Sequence, residues 1–185
     1  MFARLFLATL FVLTPPAIAQ TAKPDVTVKR VDLDGQQVFD VAASGNVKAS
    51  PASVWKILTN YEDMPQFVPD LEKAKVLSRT GNRAIIEQSG VARFLFLSRS
   101  IHLIVQVAEE PMSSIDISLV TGDMKVYSCR WELSPLPDGG THINYSGKLV
   151  PKFYVPGMLG ANIIRHDIVH MMSAVLTRLD QPSPP

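Results

Sequence analysis

Apolar positions recur in this chain with two different periods. Between Val26 and Val150 they alternate with polar ones, the spacing of strands that bury one face. Between Pro156 and Leu179 they recur every three or four residues, the spacing of an amphipathic helix. Within the first region, Val26 to Val31 and Gln36 to Lys48 flank Asp34-Gly35 and predict a long hairpin. Leu71 to Ser78 and Arg83 to Val91 flank a second turn at Thr80-Gly81-Asn82. Phe94 to Ser98 then reads as a short strand before Ile101 to Val107, which Pro111 ends. Ile115, Ile117 and Leu119 mark the next run, turned by Thr121-Gly122-Asp123. Val126 to Leu133 and His142 to Val150 flank the proline- and glycine-rich loop Pro135 to Gly140. The expected product is an antiparallel meander of about seven or eight strands.

One stretch interrupts the alternation, Lys48 to Pro69. Ser50 stands where a helix is capped, and Pro51 where a first helical residue tolerates proline. Val54, Trp55 and Leu58 follow on one face. Asn60, Met64-Pro65 and Val68-Pro69 stop and redirect the chain, so the stretch predicts two short helical pieces rich in apolar side chains. Such a wedge suits one end of an open sheet.

The terminal helix places Ala161, Ile164, Ile168, Met171, Met172, Val175 and Leu179 on one stripe. Asn162, His166, His170, Ser173 and Thr177 fall opposite. A curved antiparallel sheet and one long helix bury their apolar faces when the helix lies in the sheet's concave side, which leaves room for a hollow between them. Trp55, Phe67, Phe94, Phe96, Leu103, Tyr127, Trp131, Tyr145, Met158, Ile164, Ile168 and Met171 are the candidate lining of such a cavity. For any one of them, filling a dry core is the default use of such a side chain. Methionines adapt to irregular apolar shapes, and Tyr127, Trp131 and Tyr145 each offer one hydrogen bond to a polar head.

The first nineteen residues read as an address. Arg4 precedes the apolar run Leu5 to Leu13, and Ala17-Ile18-Ala19 has the small-x-small form of a cleavage site. The run is too short to span a bilayer. Cleavage after Ala19 leaves about 166 residues, enough for one domain, 20–180, with a loose tail from 181 to 185. The mature chain is expected in the periplasm or outside the cell. The full sequence carries a formal net charge of +1 with charges interspersed, so no basic stripe points to nucleic acid. Cys129 is the single cysteine, which excludes an internal disulfide, and alternation makes it a small buried hydrophobe.

Catalytic and cofactor signatures are sparse. The chain has no Gly-x-Ser-x-Gly elbow, phosphate-binding loop or dinucleotide fingerprint, and no cofactor is implied. His166-Asp-Ile-Val-His170 has the spacing of a zinc-protease motif, with Asp167 in place of glutamate. Both histidines share the polar helix face with Asn162, Ser173 and Thr177, so they read as solvated and no metal is expected. Lys152 to Gly160 joins sheet to helix. Its glycines and apolar residues fit an ordinary helix start, or a gate able to touch membrane.

The stretch Ala49-Ser-Pro-Ala-Ser-Val-Trp-Lys-Ile-Leu-Thr-Asn-Tyr-Glu-Asp-Met-Pro-Gln-Phe-Val-Pro69 resembles the opening of the polyketide cyclase/dehydrase and lipid-transport family, within the START-like helix-grip (SRPBCC) superfamily. Val54-Trp55, Asn60-Tyr61 and Pro65-Gln66-Phe67-Val68-Pro69 are similar to the coenzyme-Q-binding branch, with Asn60 where that branch has an acid. The resemblance implies an α+β fold, a curved antiparallel sheet wrapped around the C-terminal helix with two short helices after the first strand. It implies a hydrophobic small molecule (lipid, quinone or isoprenoid) as partner, with transient membrane contact, and leaves the oligomeric state open. Two alternatives stand beside a carrier: a cyclase- or dehydratase-type enzyme using the same cavity, with a buried Arg93 or Arg99 positioning its substrate, and a non-catalytic interaction module.

Overall fold

The computed structural model describes residues 23–33, 35–94, 97–153, 155 and 157–181, with the side chains of 94, 97 and 157–159 outside that description. The expected leader, the last four residues and part of the Lys152 to Gly160 segment thus lie outside the described residues.

Eight strands form one antiparallel sheet: β1 (Asp25–Leu33), β2 (Gln36–Val47), β3 (Leu71–Thr80), β4 (Arg83–Phe94), β5 (Leu97–Glu110), β6 (Ser114–Gly122), β7 (Met124–Pro135) and β8 (Thr141–Pro151). Their order is β1-β2-β8-β7-β6-β5-β4-β3. Two corrections to the sequence reading follow. Phe94 pairs with Leu97 at the end of the β4–β5 hairpin, so Phe94 to Ser98 is no separate strand. The short helices follow the second strand, because 25–33 adds an edge strand ahead of the one that reaches them.

Helix α1 (Pro51–Leu58) starts as its residues dictate: Ser50 Oγ accepts the Ser53 N–H at 3.4 Å, and Pro51 occupies the first turn. Val54 and Leu58 are fully buried. A 3-10 turn (Tyr61–Gln66) follows. Buried Tyr61 fastens it to the sheet by donating to Glu109 Oε1 at 2.7 Å, and Arg79 holds the other oxygen at 3.0 Å. Burial and that acid keep the Tyr61 phenol protonated far above its usual range.

Alternation sorts the sheet's two faces, interrupted by register shifts in the β3–β4, β5–β6 and β7–β8 pairs. Val41, Gly147, Cys129, Ile117 and Val107 form one inward row, and Ala43, Tyr145, Trp131 and Ile115 form the next. On the outer face Asp40 lies opposite Lys148, and Arg130 bridges Asp116 and Glu132.

Helix α2 (Gly157–Asp180) crosses the concave side. Ile164, Ile168, Met172, Val175, Leu176 and Leu179 are buried, while Asn162, His166, His170 and Thr177 are exposed, as the periodicity predicts. The helix sits off-centre, packed on β1 and β2. Arg165 Nε donates to the Val26 carbonyl at 3.1 Å, and the Lys48 N–H donates to Asp180 Oδ1 at 2.7 Å, one tie near each end. Gly45 permits the close approach: a Cβ there would come within 2.5 Å of Leu176 Cδ1. Leaning toward β1–β2 keeps the helix from closing against β4 and β5. No described helix is long and apolar enough to cross a membrane.

Candidate functional site

The consequence of the off-centre helix is a cleft of about 280 Å3 between α2 and strands β4 and β5. Ile101 and Leu103 come from β5, Val91 from β4, and Ile168 and Met171 from α2. The segment after the 3-10 turn, Val68 to Leu71, forms its rim. That rim sits close because residue 90 is glycine. The Asp70 carbonyl accepts the Val91 N–H at 2.9 Å, and a Cβ on Gly90 would lie 2.1 Å from that carbonyl oxygen. Asp70 itself takes a left-handed backbone, φ 61°, rare outside glycine. The chain thus turns sharply enough to keep the rim over the strands.

Polar groups in the cleft are few. Asp70 is engaged by Arg93, Nε to Oδ1 at 2.7 Å. Tyr127 reaches in from β7, and its oxygen accepts from Cys129 Sγ at 3.9 Å. The neighbouring thiol and burial hold the phenol protonated well above its usual range. Burial likewise pushes the Cys129 thiol up to about 11. Gln88 projects from β4, and Asp167 from the edge of α2's apolar stripe. Partial desolvation, then the nearby Asp70, raise the Asp167 carboxyl above its ordinary value, and His166 and His170 oppose the shift.

Of the residues proposed from sequence, Leu103, Tyr127, Ile168 and Met171 meet in this cleft. Phe67 lines a neighbouring surface recess with Arg93 and Glu72. Trp131 and Tyr145 pack on each other, ring centroids 4.7 Å apart, and both are buried in the core with Ile164. Trp55 is half-buried on α1. Phe96 and the side chains of Phe94 and Met158 lie outside the described residues. Among the described residues, the aromatic row and Met172 fill the space beside this cleft. Neither Arg93 nor Arg99 supplies the buried arginine weighed above: Arg93 is exposed on Asp70, and Arg99 is exposed with its guanidinium 4.9 Å from the Phe153 ring centroid. His166 and His170 stack with centroids 4.3 Å apart on the exposed face, and no described group of three or more ligating side chains could hold a metal. Sequence reasoning missed Gln88, Asp70 and Asp167 as lining. Only Asp167 left a signal, three residues after Ile164 and four before Met171.

A strongly bent antiparallel sheet, a helix laid in its concavity and an apolar cleft between them define the helix-grip class. The chain belongs, more narrowly, to the family described as polyketide cyclase/dehydrase and lipid transport, whose profile matches residues 47–176. No curated protein matches it by sequence. Among solved structures, it is similar to a START superfamily protein from Mycobacterium smegmatis, with 22% identity over 77% of this chain and 97% of that one and a TM-score of 0.67. A STAR-related lipid transfer protein from Xanthomonas axonopodis gives 15% identity over 83% and 99%, TM-score 0.65. The Zhui aromatase/cyclase from a Streptomyces species gives 14% over 77% and 94%, TM-score 0.66.

Proposed function

We propose that the mature chain is an exported carrier of a hydrophobic small molecule, a lipid, quinone or isoprenoid, seated between α2 and strands β4–β5. One observation carries this reading: an apolar cleft walled by Ile101, Leu103, Ile168 and Met171, with a few polar groups converging on it. Apolar surface left uncovered in a concave site gains by receiving an apolar ligand. The cleft's 280 Å3 lies just below the ~300–1,000 Å3 usual for small-molecule sites, so a long chain would enter by one end and leave the rest outside. The family and the lipid-transfer neighbour support the same class of cargo. The Pro65-Gln66-Phe67-Val68-Pro69 likeness keeps quinones in that class. Export rests on the Arg4 to Ala19 pattern, and membrane contact on the need to collect such a cargo.

A second reading, cyclase- or dehydratase-type catalysis in the same cleft, is favoured by the half-buried Asp167 carboxyl, a group able to move a proton beside a bound substrate. The two readings separate in one experiment. The full chain is expressed with its leader in a Gram-negative host, recovered by osmotic shock, and analysed by native mass spectrometry and lipid extraction. The carrier reading expects periplasmic protein bearing one apolar molecule released unchanged. Release of a dehydrated or cyclised product moves the assignment to the enzyme. Empty protein that also fails to bind a neutral apolar fluorophore overturns both.

A further inference from the structure

The charges facing the cleft all have one sign. Asp70 and Asp167 line it, no described lysine or arginine does, and His166 and His170 stand beside Asp167 on the exposed face of α2. The two acids are not equivalent. Asp70 is neutralised by Arg93 at 2.7 Å, whereas the Asp167 side chain makes no hydrogen bond or ion pair among the described residues. Around the same space, the Gln88 side chain has no hydrogen-bond partner among the described residues, and Tyr127 oxygen meets only a long 3.9 Å contact from Cys129. An apolar cleft is thus edged by a half-buried carboxylate that accepts hydrogen bonds only and has no protein donor among the described residues.

We propose that Asp167 selects the head of the bound amphiphile: the cleft takes an apolar chain ending in a hydrogen-bond donor, an amine ahead of an alcohol, and rejects a free carboxylate. The inference rests on the carrier reading and names the ligand class within it. The apolar chain lies on Leu103, Ile168 and Met171, and the head meets Asp167 at the mouth. An ammonium head gains a charge-assisted hydrogen bond to a half-buried carboxylate. A hydroxyl gains the hydrogen bond alone. A carboxylate head meets a like charge, with no described lysine or arginine lining the cleft to offset it, and must be protonated or leave its head in solvent.

The test is competition against N-phenylnaphthylamine fluorescence at pH 8, where a primary alkylamine is charged. Decylamine, decanol and decanoate share a chain and differ in the head. The expected order is decylamine, decanol, decanoate, with about tenfold between the first and last, a ratio worth roughly 1.4 kcal/mol. Decanoate binding as tightly as decylamine overturns the proposal. In Asp167→Asn the ratio is expected to fall to within about threefold, and Asp167→Glu to keep the wild-type order. A ratio unchanged in Asp167→Asn overturns the assignment to this residue. Should the asparagine variant lose its circular dichroism signal, the wild-type order and the glutamate variant decide. Failure of the parent reading looks different: there the fluorophore and all three chains fail to bind. Binding of every chain without regard to head group removes this inference alone.

Discussion

At the scale of single residues, Asp167 and Cys129 show how position in the fold sets chemistry. Asp167 is held partly out of water beside Asp70, which disfavours its charged form and raises its pKa above the ordinary 3.8. Between 3.8 and the raised value the folded chain binds more protons than the unfolded one, so stability falls as pH climbs through that window. Asp167→Asn removes the titration. Melting curves from pH 3 upward are therefore expected to show the variant gaining on the wild type across the window, with the difference constant above it. A wild type that gains on the variant with rising pH contradicts the burial of this carboxylate. Cys129 is buried in the row beneath Tyr145 and Trp131, with its thiol pushed up to about 11. Thiolate is the reactive form, so iodoacetamide at pH 8 is expected to leave the native thiol unmodified and to alkylate it fully in urea, read by intact mass. Rapid native alkylation would place the thiol at an open surface.

Among elements, the setting of α2 on the sheet decides where space remains, and two glycines test it. Alanine at Gly45 would push on Leu176, a flexible side chain, and alanine at Gly90 on the Asp70 carbonyl, a backbone atom. Gly45→Ala is expected to cost about 1–3 kcal/mol as an overpacked contact. Gly90→Ala is expected to cost more, since the rim must lift off β4 to relieve it. Urea titrations of the two variants check the order, and a milder Gly90→Ala would show the rim to be loosely held. Much of this architecture was legible beforehand. Inward residues alternate from Phe39 to Leu149, and the buried stripe of α2 follows Ile164, Ile168, Met172 and Leu179, because periodicity is local and each position reports its own face. What stayed illegible was the lateral lean of the helix. It depends on a missing Cβ at Gly45 and on hydrogen bonds such as Lys48 to Asp180, 132 positions apart in sequence. The site inherits that gap. Leu103 and Trp131 have the same inward pattern, yet one edges the cleft and the other fills the core, and only the helix's displacement distinguishes them.

On the scale of the whole molecule, the described chain divides into a packed side and a splayed one. Helix α2, β1, β2, the aromatic row of β7 and β8, and the Ile86, Val105 and Val107 portions of β4 and β5 share one core, while β4 and β5 around Val91 and Ile101 stand away from the helix with the cleft between. That division predicts opposite signs for two measurements on one variant. Met171 is half-buried, facing the cleft from α2, so Met171→Trp places a larger ring in unoccupied space and not into packed neighbours. Filling a void adds apolar contact, so stability is expected to hold or rise by up to about 1 kcal/mol. The same ring takes the ligand's volume, so affinity for N-phenylnaphthylamine is expected to fall about tenfold or more. Met172→Trp, one position along, is the control: Met172 is wholly buried, and overpacking there is expected to destabilise by about 1–3 kcal/mol. Thermal melts and fluorophore titrations on the three proteins read both quantities. If Met171→Trp destabilises as much as its neighbour, the cleft is closed in solution. If it keeps full affinity, the ligand sits elsewhere. Only a stable protein with weakened binding agrees with a cargo space formed by the helix leaning away from β4 and β5.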